Sequence, residues 1–221
     1  MSLVDSLRLV LSPPHPAGKP FIIGGAAVAV LGLMTSEWLV WLGGAFVLFC
    51  LYFFRDPERT VPDRPGLLVA PADGRVVMVG LAVPPEEIGL GPEPRWRVAI
   101  FLSVLDVHVN RMPAAGTITR IAYRNGKFLN ASLDKASTDN ERNALALKLD
   151  SGGDIGVVQI AGLIARRILC DVREGEHIDG GARFGIIRFG SRTDVYLPHG
   201  ITPLVAVGQT MIGGETVLAQ T

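Results

Sequence analysis

A glycine-serine step, Gly190-Ser191, lies between Arg188 and Arg192 in the stretch RFGSRTDVYLP. A serine there can cap a helix, fill a turn or act as a nucleophile, and the last role needs a base to take its proton. The flanking Phe189 and Thr193 are not the glycines of a Gly-x-Ser-x-Gly hydrolase elbow. Two other stretches carry suitable groups. PADGR puts Asp73 in a turn before a strand, where an aspartate often bonds its own backbone. DVHVNRMP puts His108 near a strand end, with Asp106 and Asn110 on the same face by alternation. His108 reads either as a general base or as a half-buried ring satisfied by its neighbours. His199 follows the Ser191 strand and would approach the site from its far end; His15 and His177 read as solvated and turn residues. No His-x-x-x-His or Cys-x-x-Cys pair is present, so no metal is expected. GGETV and GGARFG lack the partner residues of a phosphate loop.

The elements that would position these residues follow from composition. The chain has 221 residues, zero formal net charge and 48% hydrophobic residues, enough for one moderate domain and an additional segment. Balanced charge argues against nucleic acid as a partner. From Phe21 to Phe54 the only charged residue is Glu37. The run breaks at Thr35-Ser36-Glu37 into two halves, each slightly short of the roughly 20 residues that span a bilayer. A helical hairpin over residues 1–54 would bring Lys19 and Arg55 to one side, the cytoplasmic side by the positive-inside rule. It would either span the membrane or dip into one leaflet. RDPERTVPDRPG, residues 55–66, reads as a linker.

From 67 to 221 the chain carries short alternating or β-branched runs punctuated by Gly and Pro. The expectation is a mainly β (α+β) protein with a sandwich or barrel-like body. The Gly-rich tail PLVAVGQTMIGGETVLA, and VREGEHIDGGARFG as a second copy, suggest lipoyl-like hairpins. KFLNASLDKASTDNERN reads as a loop or short helix able to wall a site. Cys50 and Cys170 read as small hydrophobes, not a disulfide framework.

In order along the chain, FFRDPERTVP, PADGRVV, DVHVNRMP, FLNASLDKASTDNERN and RFGSRTDVYLP resemble the phosphatidylserine decarboxylase family. The likeness is to its short prokaryotic branch, with Gly-Ser-Arg where the other branch has Gly-Ser-Thr. The resemblance implies a proenzyme that cleaves itself without hydrolysis between Gly190 and Ser191, giving a β chain (1–190) and an α chain (191–221). Ser191 would become a pyruvoyl cofactor that forms a Schiff base with phosphatidylserine; neither a metal nor pyridoxal phosphate is implied. Phosphatidylethanolamine and CO2 would be the products. His108 would be the proton donor, and Asp73 would orient it or act as a base. The Gly-Ser-Thr branch carries a second histidine where this chain has Arg111. That leaves two arrangements open: His108 serves both reactions, or Asp73 acts with another group such as His199. Arg111 and Arg192 are candidate ligands for the substrate's carboxylate or phosphate. The implied partners are a membrane phospholipid and the two chains of one precursor, with a homo-oligomer by analogy. Two rival readings are a pyruvoyl lyase for another amino-acid headgroup and a non-catalytic, membrane-anchored lipoyl-like scaffold. A lipoyl carrier needs a lysine at a hairpin tip, and the tail after Thr202 has none.

Overall fold

The computed structural model describes residues 12–126, 139–162, 167–188 and 190–221. The chain divides into two compact units, Met1–Glu58 and Arg59–Thr221.

In the first unit, helix α1 (Lys19–Thr35) follows a 3-10 turn at Pro16–Gly18, and helix α2 (Glu37–Phe53) follows Ser36. With that turn the first apolar segment runs 20 residues, Pro16–Thr35, long and apolar enough to cross a membrane. The helices pack through glycines: a Cβ at Gly32 or Gly43 would lie 2.5 Å from the facing backbone. Their large apolar side chains point outward instead. Met34 is 85% exposed and Trp41 79%, the inverse of a water-soluble helix pair and the packing used in lipid. At the hairpin base the His15 amide donates to the Phe54 carbonyl and Asp56 to Pro13, which brings Lys19 and Arg55 to the same end.

The second unit is mainly β, with thirteen strands among the described residues. One eight-stranded sheet curls into a half-barrel in the order β12-β2-β3-β11-β7-β6-β5-β9, ending on β5 (Gly116–Arg124) and β9 (His177–Ile178). A three-stranded sheet, β4-β10-β8, and a pair, β1-β13, complete the unit, and every pairing is antiparallel. The strands that position the site are β3 (Arg95–Leu102), β4 (Val109–Arg111), β6 (Arg142–Leu149), β7 (Asp154–Ala161), β10 (Arg183–Arg188) and β11 (Ser191–Tyr196). Alternation gives β11 two buried faces. Val195 packs in the main core with Ile100, Leu145 and Val157. Tyr196 packs on the opposite face with Val158, Ile160, Ile88 and Leu90.

Each Gly-rich segment yields two short strands, and the two go to different sheets. In the tail, β12 (Thr210–Met211) pairs with β2 (Gly74–Ala82), and β13 (Val217–Gln220) with β1 (Leu67–Val69). The Gly213–Gly214 turn between them packs instead on Ala72 and Asp73. In the expected linker, Arg59 bonds Asp73 and the Thr60 amide bonds Glu215. The expected site wall lies outside the described residues over 127–138. Its end, from Arg142, enters β6. Cys50 and Cys170 are both free thiols.

Candidate active site

Gly190-Ser191 sits where the chain leaves the three-stranded sheet for the half-barrel. Strand β10 ends at Arg188 and β11 begins at Ser191. The crossing is made by Gly190 at φ +74°, a left-handed conformation that glycine adopts without steric cost. A Cβ there would meet only Val104 at 3.9 Å, so backbone conformation, not crowding, selects glycine.

Ser191 is held in register between Leu102 at the end of β3 and Ala161 at the end of β7. It is fully buried, and its Oγ has no hydrogen-bond partner among the described residues. A buried unpaired hydroxyl costs about 1–3 kcal/mol and is uncommon where the role is purely structural.

His108 is also fully buried. Its Nδ1 lies 2.9 Å from the Asp106 carbonyl oxygen, and its Nε2 accepts from the Gly190 amide at 3.2 Å. A carbonyl only accepts and an amide N–H only donates, so the ring is neutral, with its proton on Nδ1 and its lone pair toward Gly190. The Ile187 amide donates to the His108 carbonyl, which ties the end of β10 to the same residue. The Asp106 carbonyl is itself fixed by a turn: the Ser103 amide donates to Asp106 Oδ2 at 2.7 Å, and the Asp106 amide to the Ser103 carbonyl. Thus β3 supplies both the neighbour of Ser191 and, one turn later, the orientation of His108.

Asp73 stands in a second group. Its Oδ2 accepts from Arg59 at 2.7 Å and its Oδ1 from the Gly213 amide at 2.8 Å. Burial pushes its carboxyl above the ordinary carboxylate value; Arg59 and the Gly213 bond pull the other way, and the charge of Asp106 adds to the rise. Arg111 runs past Gly214, where a Cβ would lie 2.9 Å from its Cδ and 3.5 Å from Arg59 Cβ, and donates to the Gly181 carbonyl at 2.9 Å.

Arg192 projects from β11 to the face opposite Ser191. It forms a fork with Asp194, Nε to Oδ1 at 2.7 Å and Nη2 to Oδ2 at 2.8 Å, with both side chains essentially inaccessible. Arg97 approaches the same carboxylate at 3.8 Å. Arg188 faces Arg167 of β8 (Arg167–Cys170) directly across the strand pair, and burial with that like charge lowers its pKa. His199 is exposed, beyond the far end of β11 from Ser191, and His177 pairs with Asp150 at the surface.

Gly190, Ser191 and His108 therefore come together, and Asp73 pairs with Arg59, while Arg111 passes the adjoining Gly214. Sequence reasoning missed the Asp106 carbonyl, because a backbone acceptor leaves no mark in residue types. It also missed Arg59, which lies in the segment read as linker. On the face of β11 that carries Ser191, it missed a chain of buried amides. Asn143 Nδ2 donates to Gln159 Oε1 at 2.9 Å, and Gln159 Nε2 to Asn110 Oδ1 at 2.8 Å. Alternation puts Asn110 on the face of His108 in the sequence itself; polar residues in otherwise apolar strands are the signal for the other two.

The chain matches the phosphatidylserine decarboxylase family over residues 46–219. It is 71% identical over 219 residues to a protein of Granulibacter bethesdensis, covering 99% of this chain and 90% of that one. It is 62% identical over 224 residues to one of Gluconacetobacter diazotrophicus, covering both in full, and 59% identical over 216 residues to one of Cereibacter sphaeroides, covering 98% and 93%. All three are named phosphatidylserine decarboxylase proenzyme. Matched by the family over most of its length and by relatives over its whole length, the chain belongs to the phosphatidylserine decarboxylase family and is a decarboxylase.

Proposed function

We propose that the chain is made as a proenzyme, cleaves itself between Gly190 and Ser191, and then decarboxylates phosphatidylserine with a pyruvoyl carbonyl at position 191. One observation carries this reading: a fully buried serine hydroxyl without a partner adjoins an amide that His108 Nε2 already engages. A serine poised for attack and left unpaired fits a residue consumed in chemistry better than one kept for packing.

In the first reaction His108 Nε2 takes the Ser191 hydroxyl proton and Oγ attacks the Gly190 carbonyl carbon. The Gly190–Ser191 C–N bond breaks, the nitrogen takes a proton, and an ester joins Gly190 to Ser191 Oγ. A base then removes the Ser191 α-proton, and the Cβ–Oγ bond breaks. The electron pair goes to the oxygen, which leaves as the Gly190 carboxylate. The resulting dehydroalanine tautomerises, and water replaces its nitrogen, which departs as ammonia.

The pyruvoyl carbonyl supplies an electrophile for the substrate amine and a sink for the electron pair left by CO2. The chain's own residues do the rest. Hydrogen bonding of β11 to both β3 and β7 holds the new terminus in place after scission. The Arg192–Asp194 fork anchors the adjacent residue from the other face. His108 Nε2, released from the Gly190 amide, is the proton donor to the product carbon. Asp73 acts as a positioning residue: its carboxyl feels the charge of Asp106, the residue whose carbonyl orients the ring. Arg188 and Arg167 stand opposite each other next to Gly190 and put two like charges there, so we assign attraction of the anionic headgroup to this pair. The apolar helical pair would hold the enzyme to the membrane, with Lys19 and Arg55 supporting the cytoplasmic face.

The test is Ser191→Ala in the full chain. A chain that stays whole and releases no CO2 from phosphatidylserine agrees with the reading; normal scission in that variant contradicts it.

A further inference from the structure

The amide chain on the inner face of β11 has a direction. From Asn143 to Gln159 to Asn110 each side chain donates to the next, and the last donor, Asn110 Nδ2, has no partner. All three side chains are buried: Asn143 is 2% exposed, Gln159 and Asn110 0%. Cross-strand register ties the chain to the site. Asn143 lies opposite Gln159, and Gln159 lies opposite Thr193, two residues from Ser191 on the same face. Asn110, in β4, lies two residues after His108, which precedes that strand.

Among the described residues, three buried polar atoms lack partners here: Ser191 Oγ and Thr193 Oγ1 on this face, and Asn110 Nδ2, which reaches it through Gln159. Each unmade bond is costly, and their clustering marks a place where an acceptor appears during chemistry. Amides bonded in series polarise one another, so the terminal N–H is a stronger donor than a lone asparagine. The bond from Gln159 also fixes which way the Asn110 amide faces, since its oxygen must meet Gln159 Nε2.

We propose that Asn110 Nδ2 is the donor that assists the second half of self-cleavage, with Gln159 and Asn143 as positioning residues. The proposal rests on the self-cleavage reading above. Once the ester has formed, the former Ser191 Oγ is its bridging oxygen, on the inner face. When the Cβ–Oγ bond breaks, the electron pair collects on that oxygen as the Gly190 carboxylate forms. A preoriented N–H in a dry site is most effective where charge develops in the transition state. Asn110 thus favours elimination over return of the ester to the amide, whereas His108 serves the attack.

The test follows scission of the full-length wild type and of Asn110→Asp, Asn110→Ser and Gln159→Met, with and without hydroxylamine. Hydroxylamine cuts an ester and leaves serine, not pyruvoyl, at the head of the 191–221 piece. Wild type should mature to the ammonia-depleted piece. The Asn110 variants should mature about 10²-fold more slowly and release a serine-headed piece with hydroxylamine. Gln159→Met should show a smaller defect of the same kind, and combining it with Asn110→Asp should add nothing. A purely structural role would slow ester formation as well, giving no hydroxylamine product in any of the Asn110 and Gln159 variants. That result, or wild-type scission rates in both Asn110 variants, overturns the role of Asn110. If the wild type itself neither splits nor yields to hydroxylamine, the self-cleavage reading fails and this inference with it.

Discussion

The Gly190 amide donates to His108 Nε2 at 3.2 Å, while the other ring nitrogen meets the Asp106 carbonyl at 2.9 Å. One imidazole is thereby clamped between a turn at the end of β3 and the amide of Gly190, the residue whose carbonyl side carries the bond proposed to break. Its Nε2 already carries the lone pair and already faces Gly190, so no tautomer change has to precede proton transfer.

Replacing His108 by Gln keeps a polar side chain at this position but removes the base. Scission should slow by about 10²–10⁴-fold, the range for loss of a positioned acid–base group. Time-resolved gel analysis of the newly made chain reads this directly. Unchanged scission would assign the base elsewhere.

Gly190→Ala tests the crossing. The added methyl has room, with Val104 its nearest neighbour at 3.9 Å, but φ +74° is unfavourable for an L-residue by about 1–2 kcal/mol. The variant should melt several degrees lower and mature more slowly. An unchanged melting temperature with normal maturation would mean the turn is not held in this conformation.

Asp194→Ala leaves Arg192 charged and fully buried beside Arg97. Removing one partner of a buried ion pair costs about 3–5 kcal/mol, a large share of a domain's stability. Denaturant unfolding of the uncleavable Ser191→Ala chain, with and without this change, measures it. A loss below about 1 kcal/mol, the scale of exposed pairs, would mean the fork is solvated.

Asp73 gives a pH dependence with a definite sign. Burial raises its pKa in the fold despite Arg59, so the native state holds this proton more tightly than the unfolded chain does. Its contribution to stability is complete below the ordinary carboxylate pKa of about 3.9 and is lost as pH rises through the higher folded value. In the Ser191→Ala background, the stability of the Asp73 chain relative to Asp73→Asn should therefore fall from pH 4 to pH 7. A difference that moves in favour of Asp73 over that range would mean that Arg59 outweighs burial.

Local pattern made much of this legible in the sequence. The break at Thr35-Ser36-Glu37 separates the two helices, and the alternating apolar runs become antiparallel strands. His108 and Ser191 stand out in their motifs as residue types able to serve as base and nucleophile, and the structure buries both, with His108 against the Gly190 amide. What pairing decides was not legible. The tail strands look like one hairpin, yet β12 and β13 join different sheets, since partner choice depends on contacts far along the chain. Arg192 looked available for a phosphate, but Asp194, two residues on, faces the same side of β11 and takes both ends of its fork. Arg111 met a carbonyl 70 residues away. Buried partners of this kind arise from the assembled sheets.

The most direct test of the account is the intact mass of the purified full chain. It predicts two pieces divided at Gly190/Ser191: residues 1–190 ending in a free carboxylate, and residues 191–221 lighter than the serine-headed form by one ammonia. A single uncut chain that still decarboxylates phosphatidylserine, or a 191–221 piece that keeps its serine in active enzyme, would contradict it.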